Sequence, residues 1–359
     1  MSKRRWIALT GLFLASAAAF FAYQRYGGRS SSARGNLLEM IPADANAVLF
    51  LDVAELRSAP FMAQLFAWAP QPEPDEDYAQ FLKDTGFQYE RDLDHLAVAF
   101  EKIGQDSGFF AVAEGRFDRQ KISALVTKSG SVEKRGGHEI FTIAENGGAR
   151  KTLFTFLGND RIVLTDHGNL EQTLNARKKS NDSAEWRARF ERLAGSPVFA
   201  VIRQDAAPGE TLSSQAPGGF RSPQLSILMD QLQWISVAGK PENDRLRIVA
   251  EGECTSEETT RHFADVLNGV LTLAEAGLND AKTRQQLAPS LREAYLELLK
   301  STDVSKLDRG DTKSVRLTFE ITPALLETAR GSSTGVGPGS PNAAPSKPAP
   351  TGATKKGRS

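Results

Sequence analysis

The chain has 359 residues, and its 44 basic and 44 acidic side chains give a formal net charge of zero. Ten of the basic residues lie in the two ends, residues 1–36 and 331–359, which contain no acidic residue. Residues 37–330 therefore carry 34 basic against 44 acidic side chains, and a domain of this charge is not expected to bind nucleic acid. Because Cys254 is the single cysteine, the sequence excludes an intramolecular disulfide and a zinc site built from cysteines.

Residues 6–23 form an uncharged run, WIALTGLFLASAAAFFAY, behind the basic leader of residues 1–5. A helix of this length spans roughly 27 Å, close to the roughly 30 Å of a bilayer's hydrocarbon core, so we predict a transmembrane helix. The alternative is a cleaved signal peptide with Ala17 and Ala19 at the cleavage site, although the apolar run continues beyond that site.

The charges beside this run favour a cytoplasmic N-terminus only slightly, because Lys3, Arg4 and Arg5 face Arg25, Arg29 and Arg34. We expect a single-pass protein of the cytoplasmic (inner) membrane, with the linker of residues 24–36 and the rest of the chain outside the cytoplasm. If the signal peptide is cleaved instead, the protein is secreted or periplasmic.

Hydrophobic periodicity predicts an α+β domain in two parts, residues 37–180 and residues 181–330. In the first part we expect strands at 47–53, 96–102, 108–115, 138–144, 151–158 and 160–166, and helices at 54–68, 78–85, 118–129 and 168–178. In the second part we expect strands at 197–203, 233–240, 244–254 and 312–321, and helices at 223–232, 256–278, 281–300 and 323–330. Strand pairs between helices are typical of antiparallel sheets with helices on one face.

The order of elements recurs in the two parts, which predicts that they are related. Val48 and Val198 are 150 residues apart, and Leu164 and Leu317 are 153 residues apart. Chance alignment is the alternative, because identity between the parts is faint. The pattern leaves open whether the two sheets pack side by side or continue into one.

Residues 331–359 are rich in Gly, Pro, Ser and Ala, and we expect them to be disordered. They contain the pattern G-x-S-x-G at Gly331, Ser333 and Gly335. A hydrolase nucleophile elbow needs a strand before this pattern and a helix after it. Here a predicted helix precedes it, so we interpret the match as chance.

No motif for a metal ion or cofactor stands out, and we expect neither. Asp92, Asp94 and His95 lie together in RDLDHL, where a capped helix start explains them without a metal. A second acidic group lacks the spacing of a calcium loop and is interpreted as a solvated loop; its members are Glu73, Asp75, Glu76 and Asp77.

Candidates for catalysis are equally weak, and the catalytic residues are unknown. Asp166 and His167 follow a predicted strand, as catalytic groups often do, but a turn that begins a helix explains them equally well. Cys254 has glutamates nearby that would raise its pKa, so we expect an unreactive strand residue. Helix 256–278 has a broad apolar face, which either covers the sheet or lines a groove for lipid or peptide. The basic run of residues 177–179 is too short to indicate a polyanion partner.

Residues 41–53, IPADANAVLFLDV, are followed by the predicted helix 54–68, which contains Ala59-Pro60-Phe61, and lie soon after the predicted anchor. This segment, Ile41 to Phe61, resembles uncharacterised membrane-anchored bacterial proteins with a two-part exported α+β domain. The resemblance implies location and fold, and no activity. We therefore expect a non-catalytic interaction or scaffold module of the cell envelope with a protein partner there. The alternatives are an envelope hydrolase whose carboxylates meet only in three dimensions and a carrier of apolar ligands.

Overall fold

The computed structural model describes residues 37–68, 76–103, 106–144, 151–166, 170, 174, 184–204 and 231–333. These residues form twelve strands and ten helices, which confirms the predicted α+β class. The strands are β1 Ala47–Asp52, β2 Leu93–Ile103, β3 Asp106–Gly115, β4 Ser131–Arg135, β5 His138–Ala144, β6 Lys151–Leu157, β7 Arg161–Thr165, β8 Val198–Arg203, β9 Leu232–Glu242, β10 Arg245–Cys254, β11 Asp303–Asp308 and β12 Lys313–Ile321. The helices are α1 Val53–Ser58, α2 Pro60–Trp68, α3 Glu76–Thr85, α4 Tyr89–Asp92, α5 Arg119–Ser129, α6 Ala184–Arg192, α7 Glu257–Asn279, α8 Ala281–Gln286, α9 Pro289–Lys300 and α10 Pro323–Ser333.

All twelve strands belong to one antiparallel sheet, in the order β11-β12-β10-β9-β8-β1-β2-β3-β7-β6-β5-β4. The central pair is β1 with β8, where Val48 lies opposite Val201 and Phe50 opposite Phe199. The described strands thus form a single continuous sheet rather than two sheets packed side by side. Outward from the central pair, β2, β3, β7 and β6 occupy the places that β9, β10, β12 and β11 occupy on the other side.

Most of the helices cover one face of the sheet, which we call the helix-covered face. On it, Phe61 of α2 packs near Leu246 and Ile321, and Phe263 of α7 packs against Val315. On α5, Ile122 and Val126 similarly contact the aromatic side chains of β5 and β6. This arrangement follows from alternation along each strand, which presents every second side chain to the same face.

Helix α6 lies on the opposite face, which we call the α6 face. Its Trp186 and Phe190 pack in one cluster with Val48, Phe50 and Phe199, whose neighbours in sequence point to the helix-covered face. The prediction that helices lie on one face is therefore only partly right. The physical reason is that both faces of the central strands are apolar, and both must be removed from water.

Several predicted boundaries need correction. Four elements were not predicted: the edge strands β4 and β11, and helices α4 and α6. The predicted helix 281–300 is divided into α8 and α9, because Pro289 begins a new helix as its first residue. The segment RDLDHL contains a helix end and a strand start, not a helix start, since α4 ends at Asp92 and β2 begins at Leu93.

Some expectations fall on residues outside the described ones. They include residues 223–230 of the predicted helix 223–232, whose last residue, Leu232, lies in β9, and most of the predicted helix 168–178. The predicted tail begins later than expected, because α10 continues to Ser333 and residues 334–359 are not described. Among the described residues no helix has both the length and the apolar character needed to span a membrane, and residues 6–23 lie outside them.

Gly115 at the end of β3 is required by a close approach of two backbone segments. A Cβ atom there would lie 2.2 Å from the carbonyl oxygen of Asp92. We expect Gly115→Ala to lower the free energy of unfolding by about 3 kcal/mol, because the backbone must shift to relieve the overlap. Urea denaturation measures this change.

Gly269 in α7 provides the matched control, since no atom lies within 4 Å of a Cβ at this position. Gly269→Ala should raise the free energy of unfolding by about 1 kcal/mol, because alanine favours an exposed helix interior. Equal effects of the two substitutions would contradict the close approach at Gly115.

Candidate functional site

Two rows of polar side chains cross the α6 face, one on each side of the central strand pair. The first, which we call the histidine row, lies on the neighbouring strands β1, β2, β3 and β7. In it Asp52 lies opposite His95, His95 opposite Glu114, and Glu114 opposite Arg161. Asp52 also accepts a hydrogen bond from the backbone N–H of Glu55, which caps α1 and fixes the end of the row.

His95 lies between two carboxylates in the interior. Its Nε2 is 3.4 Å from Asp52 Oδ2, and its Nδ1 is 3.5 Å from Glu114 Oε1. The side chain is 3% exposed, and neither ring nitrogen has a hydrogen-bond partner among the described residues. Burial alone lowers the pKa of a histidine, but the contact with Asp52 and the charges of Asp52 and Glu114 outweigh it, so the pKa of His95 is raised. The imidazole is therefore enclosed by protein atoms, and its protonation is coupled to the charges of Asp52 and Glu114.

The second row, which we call the arginine row, occupies the equivalent strands β8, β9, β10 and β12. Arg203 lies opposite Trp234, Trp234 opposite Glu253, and Glu253 opposite Ser314. Glu253 therefore has the place in this row that Glu114 has in the histidine row. The histidine row starts at Asp52, the last residue of β1, and the arginine row starts at Arg203, the last residue of β8. Because β1 and β8 are antiparallel, the two rows cross the strands at opposite strand ends.

Helix α6 brings two arginines onto the arginine row. Arg189 and Arg192 each donate a hydrogen bond to the carboxylate of Glu253, whose side chain is 3% exposed. The guanidinium of Arg189 also lies 3.8 Å from the centre of the Trp234 ring, a distance typical of a cation–π contact. The spacing of Arg189 and Arg192 places both on one side of the helix, next to the sheet.

Glu251, two residues before Glu253, is bound by side chains of β12 and of the turn between β11 and β12. Arg309 donates to both of its carboxylate oxygens, Arg316 donates to Oε2 over 3.1 Å, and Ser314 donates to Oε1 over 3.0 Å. Burial opposes ionisation of Glu251, but these hydrogen bonds and the charge of Arg309 prevail and lower its pKa. Four arginines thus contact two glutamates, and the formal charges of these six side chains sum to two positive charges. We call these six residues the arginine–glutamate cluster.

A recess of about 160 Å³ opens beside this cluster. It lies between the end of α6 and the α6 face of β9, β10 and β12. Its lining includes Arg192, Arg316, Ser196, Ser236 and Glu251. The lining thus contains two arginines and one glutamate, and Glu251 is bonded to Arg309 and Arg316.

The three candidates in RDLDHL have separate structural roles. Asp92 accepts a hydrogen bond from the Gln88 backbone and is paired with Arg91 and Arg116. Asp94 lies 3.6 Å from buried Arg57, while His95 belongs to the histidine row. The described residues include no group of three His, Cys, Asp or Glu side chains able to hold a metal ion.

The remaining candidates do not converge on one site. Asp166 accepts a hydrogen bond from the backbone of Phe109, and His167 lies outside the described residues. Cys254 is buried, and burial raises the pKa of its thiol; the neighbouring glutamates are not the cause. Residues 73–75 of the acidic group and residues 177–179 also lie outside. Helix α7 packs its Phe263 against β12, as the covering role predicts.

Sequence reasoning missed the arginine–glutamate cluster. The alternation of β10 predicts a polar, solvated face at Arg247 and Glu251, whereas Glu251 and Glu253 are buried there. One signal was available: Trp186 and Phe190, four residues apart in a charged segment, indicate a helix with a narrow apolar stripe. Arg189 and Arg192 flank that stripe.

Comparisons with known proteins add little to this description. The sequence matches no protein-family model and no curated protein. Solved structures of crystal forms I, III and IV of TP0453 are similar at 10%, 11% and 10% identity, with TM-scores of 0.43, 0.42 and 0.44. The similarity covers 82–84% of this chain and 96–98% of those chains. Similarity at this level carries no information about function.

The raised pKa of His95 predicts a pH-dependent stability. A histidine whose pKa is higher in the folded than in the unfolded protein stabilises the fold fully below about pH 6.5, and this contribution is lost as pH rises through the folded pKa. We expect His95→Gln to remove this part of the pH dependence. Urea denaturation at several pH values, from mildly acidic to mildly alkaline, measures this pH dependence. NMR follows the titration of the imidazole in the same range.

Asp52→Asn is the control for this prediction, because asparagine keeps the cap of α1 and removes one charge beside His95. The imidazole of this variant should titrate at a lower pH than in the unchanged protein. A titration of the unchanged protein below the pH typical of free histidine would show that burial outweighs the two carboxylates.

Glu253 links α6 to the sheet, and its substitution tests that link. Glu253→Gln should lower the free energy of unfolding by about 3 kcal/mol, because Arg189 and Arg192 lose the charge that compensates them. Arg261→Gln is the matched control, since its pair with Glu257 on α7 is exposed and should contribute little. A similarly small effect at both positions would show that the buried pair is dispensable.

Proposed function

We propose that this protein is a non-catalytic binding module of the cell envelope, held at the membrane by residues 6–23. One observation carries the non-catalytic part: the buried acids and bases of the α6 face are paired with one another. Glu251 and Glu253 are neutralised by arginines, and His95 is enclosed between Asp52 and Glu114. Among the described residues of these rows, no acid or base is placed to exchange a proton with a substrate.

The location rests on the amino-acid sequence. The basic leader and the apolar run are typical of a signal anchor, and residues 37–330 have the composition of a globular domain. A single anchor with a domain outside the cytoplasm places the large sheet where envelope proteins can reach it. A secreted or periplasmic protein after signal cleavage is the alternative location.

The two alternative functions have less support. A hydrolase needs a carboxylate facing an opening, and Glu251 is the carboxylate in the recess lining, but it is held by Arg309, Ser314 and Arg316. An apolar-ligand carrier needs space between helix and sheet. Beneath α7 that position is filled by Phe263 and Ala264, which pack against Leu232 and Val315.

In-cell crosslinking of the full chain tests the proposal, with a variant lacking residues 6–23 as control. The full chain should fractionate with membranes, be digested by protease added outside the inner membrane, and crosslink to a defined envelope protein. The variant should lose the membrane association and the crosslink together. Protection from external protease would contradict the proposed location, and turnover of cell-wall or lipid substrates by the purified chain would contradict the non-catalytic function.

A further inference from the structure

We infer that the recess beside the arginine–glutamate cluster binds a phosphate group. The inference deepens the proposed binding function by naming a ligand class, and it does not depend on where the protein is located. The first observation is the charge balance. Arg189, Arg192, Arg309 and Arg316 surround Glu251 and Glu253, so two positive charges remain uncompensated within the cluster.

The second observation is the position of the uncompensated charge. Arg192 and Arg316 line the recess, come from different elements, and both approach Glu251, at 3.8 Å and 3.1 Å. Arg309, which is not part of the lining, binds Glu251 through both carboxylate oxygens. Arg192 and Arg316 are therefore the two cations that line the recess, beside one carboxylate, that of Glu251.

The third observation is unused hydrogen-bonding capacity. Nε of Arg316 is buried and has no hydrogen-bond partner among the described residues. A buried N–H without a partner is costly, so the bond that Arg316 donates to Glu251 leaves its guanidinium incompletely satisfied. Arg316 is partly exposed, at 37% of its side chain, so a solute can reach it.

The chemistry of the lining favours phosphate over a carboxylate. Two guanidinium groups on different elements and the hydroxyl of Ser236 lie in the polar part of the lining, which suits an acceptor with several oxygens in different directions; Leu193, Ala238 and Val249 form the apolar part. A phosphate group presents three or four such oxygens, whereas a carboxylate presents two in one plane. The volume of about 160 Å³ is several times the roughly 30 Å³ of one water molecule and admits such a group.

Isothermal titration calorimetry of the purified full chain with inorganic phosphate, at constant ionic strength set by chloride, tests the inference. We expect saturable binding that Arg316→Gln weakens by at least about tenfold. Arg192→Gln, which leaves Glu253 bonded to Arg189, should weaken it similarly and provides a second test if one variant folds poorly. Thermal melting without phosphate reports the folding of each variant.

Arg247→Gln is the matched control. Arg247 is exposed on the same face of β10, opposite Glu320 and outside the recess lining, so its substitution should leave phosphate binding unchanged. Equal losses at Arg247 and Arg316 would indicate general attraction to the surface and would overturn the site.

The phosphate group can belong to a free anion or to a lipid headgroup, and vesicles distinguish them. Phosphatidylcholine vesicles with and without phosphatidic acid are sedimented with the chain lacking residues 6–23, which removes the predicted anchor. Retention that needs both phosphatidic acid and Arg316 assigns a headgroup, and calorimetric binding without retention assigns a free anion. Absence of both would overturn the inference while leaving the envelope location and its crosslinking test unaffected.

Discussion

Two buried carboxylates set the main constraint on this structure. Glu251 and Glu253 leave water when β10 takes its place in the sheet, and buried charges are tolerated only when they are paired and hydrogen-bonded. The partners come from three places: α6, β12 and the turn between β11 and β12. Pairing these charges therefore attaches α6 to the α6 face and joins it to the outer strands of the sheet.

The histidine row and the arginine row carry different side chains at equivalent positions of the sheet. Both rows have a glutamate on the second strand outward from the central pair, Glu114 on β3 and Glu253 on β10. In the histidine row Glu114 lies between Arg161 and an imidazole, whose charge depends on pH. In the arginine row the neighbours are guanidinium groups, which stay charged, and there an excess of positive charge borders an open recess.

The class of the fold was predictable because strands with apolar side chains have a clear signature. The central strands β1 and β8 and the pair β9–β10 were predicted nearly at their observed positions. Strands β4 and β11 were missed because they are edge strands rich in charge, SVEKR and DVSKLD, which lack the apolar alternation of half-buried strands. Helix α6 was missed because its apolar stripe consists of two residues.

The sequence by itself determined the α+β class, the elements with strong periodicity, the acidic character of residues 37–330 and the apolar run at residues 6–23. Tertiary structure decided which charges meet, because Arg189 and Glu253 are 64 residues apart, and Arg316 and Glu251 are 65 residues apart. It also decided that β1 pairs with β8, which merges the strands into one sheet. The alternation of residues along a strand indicates which side chains share a face, but only the register of distant strands brings a given carboxylate to a given guanidinium.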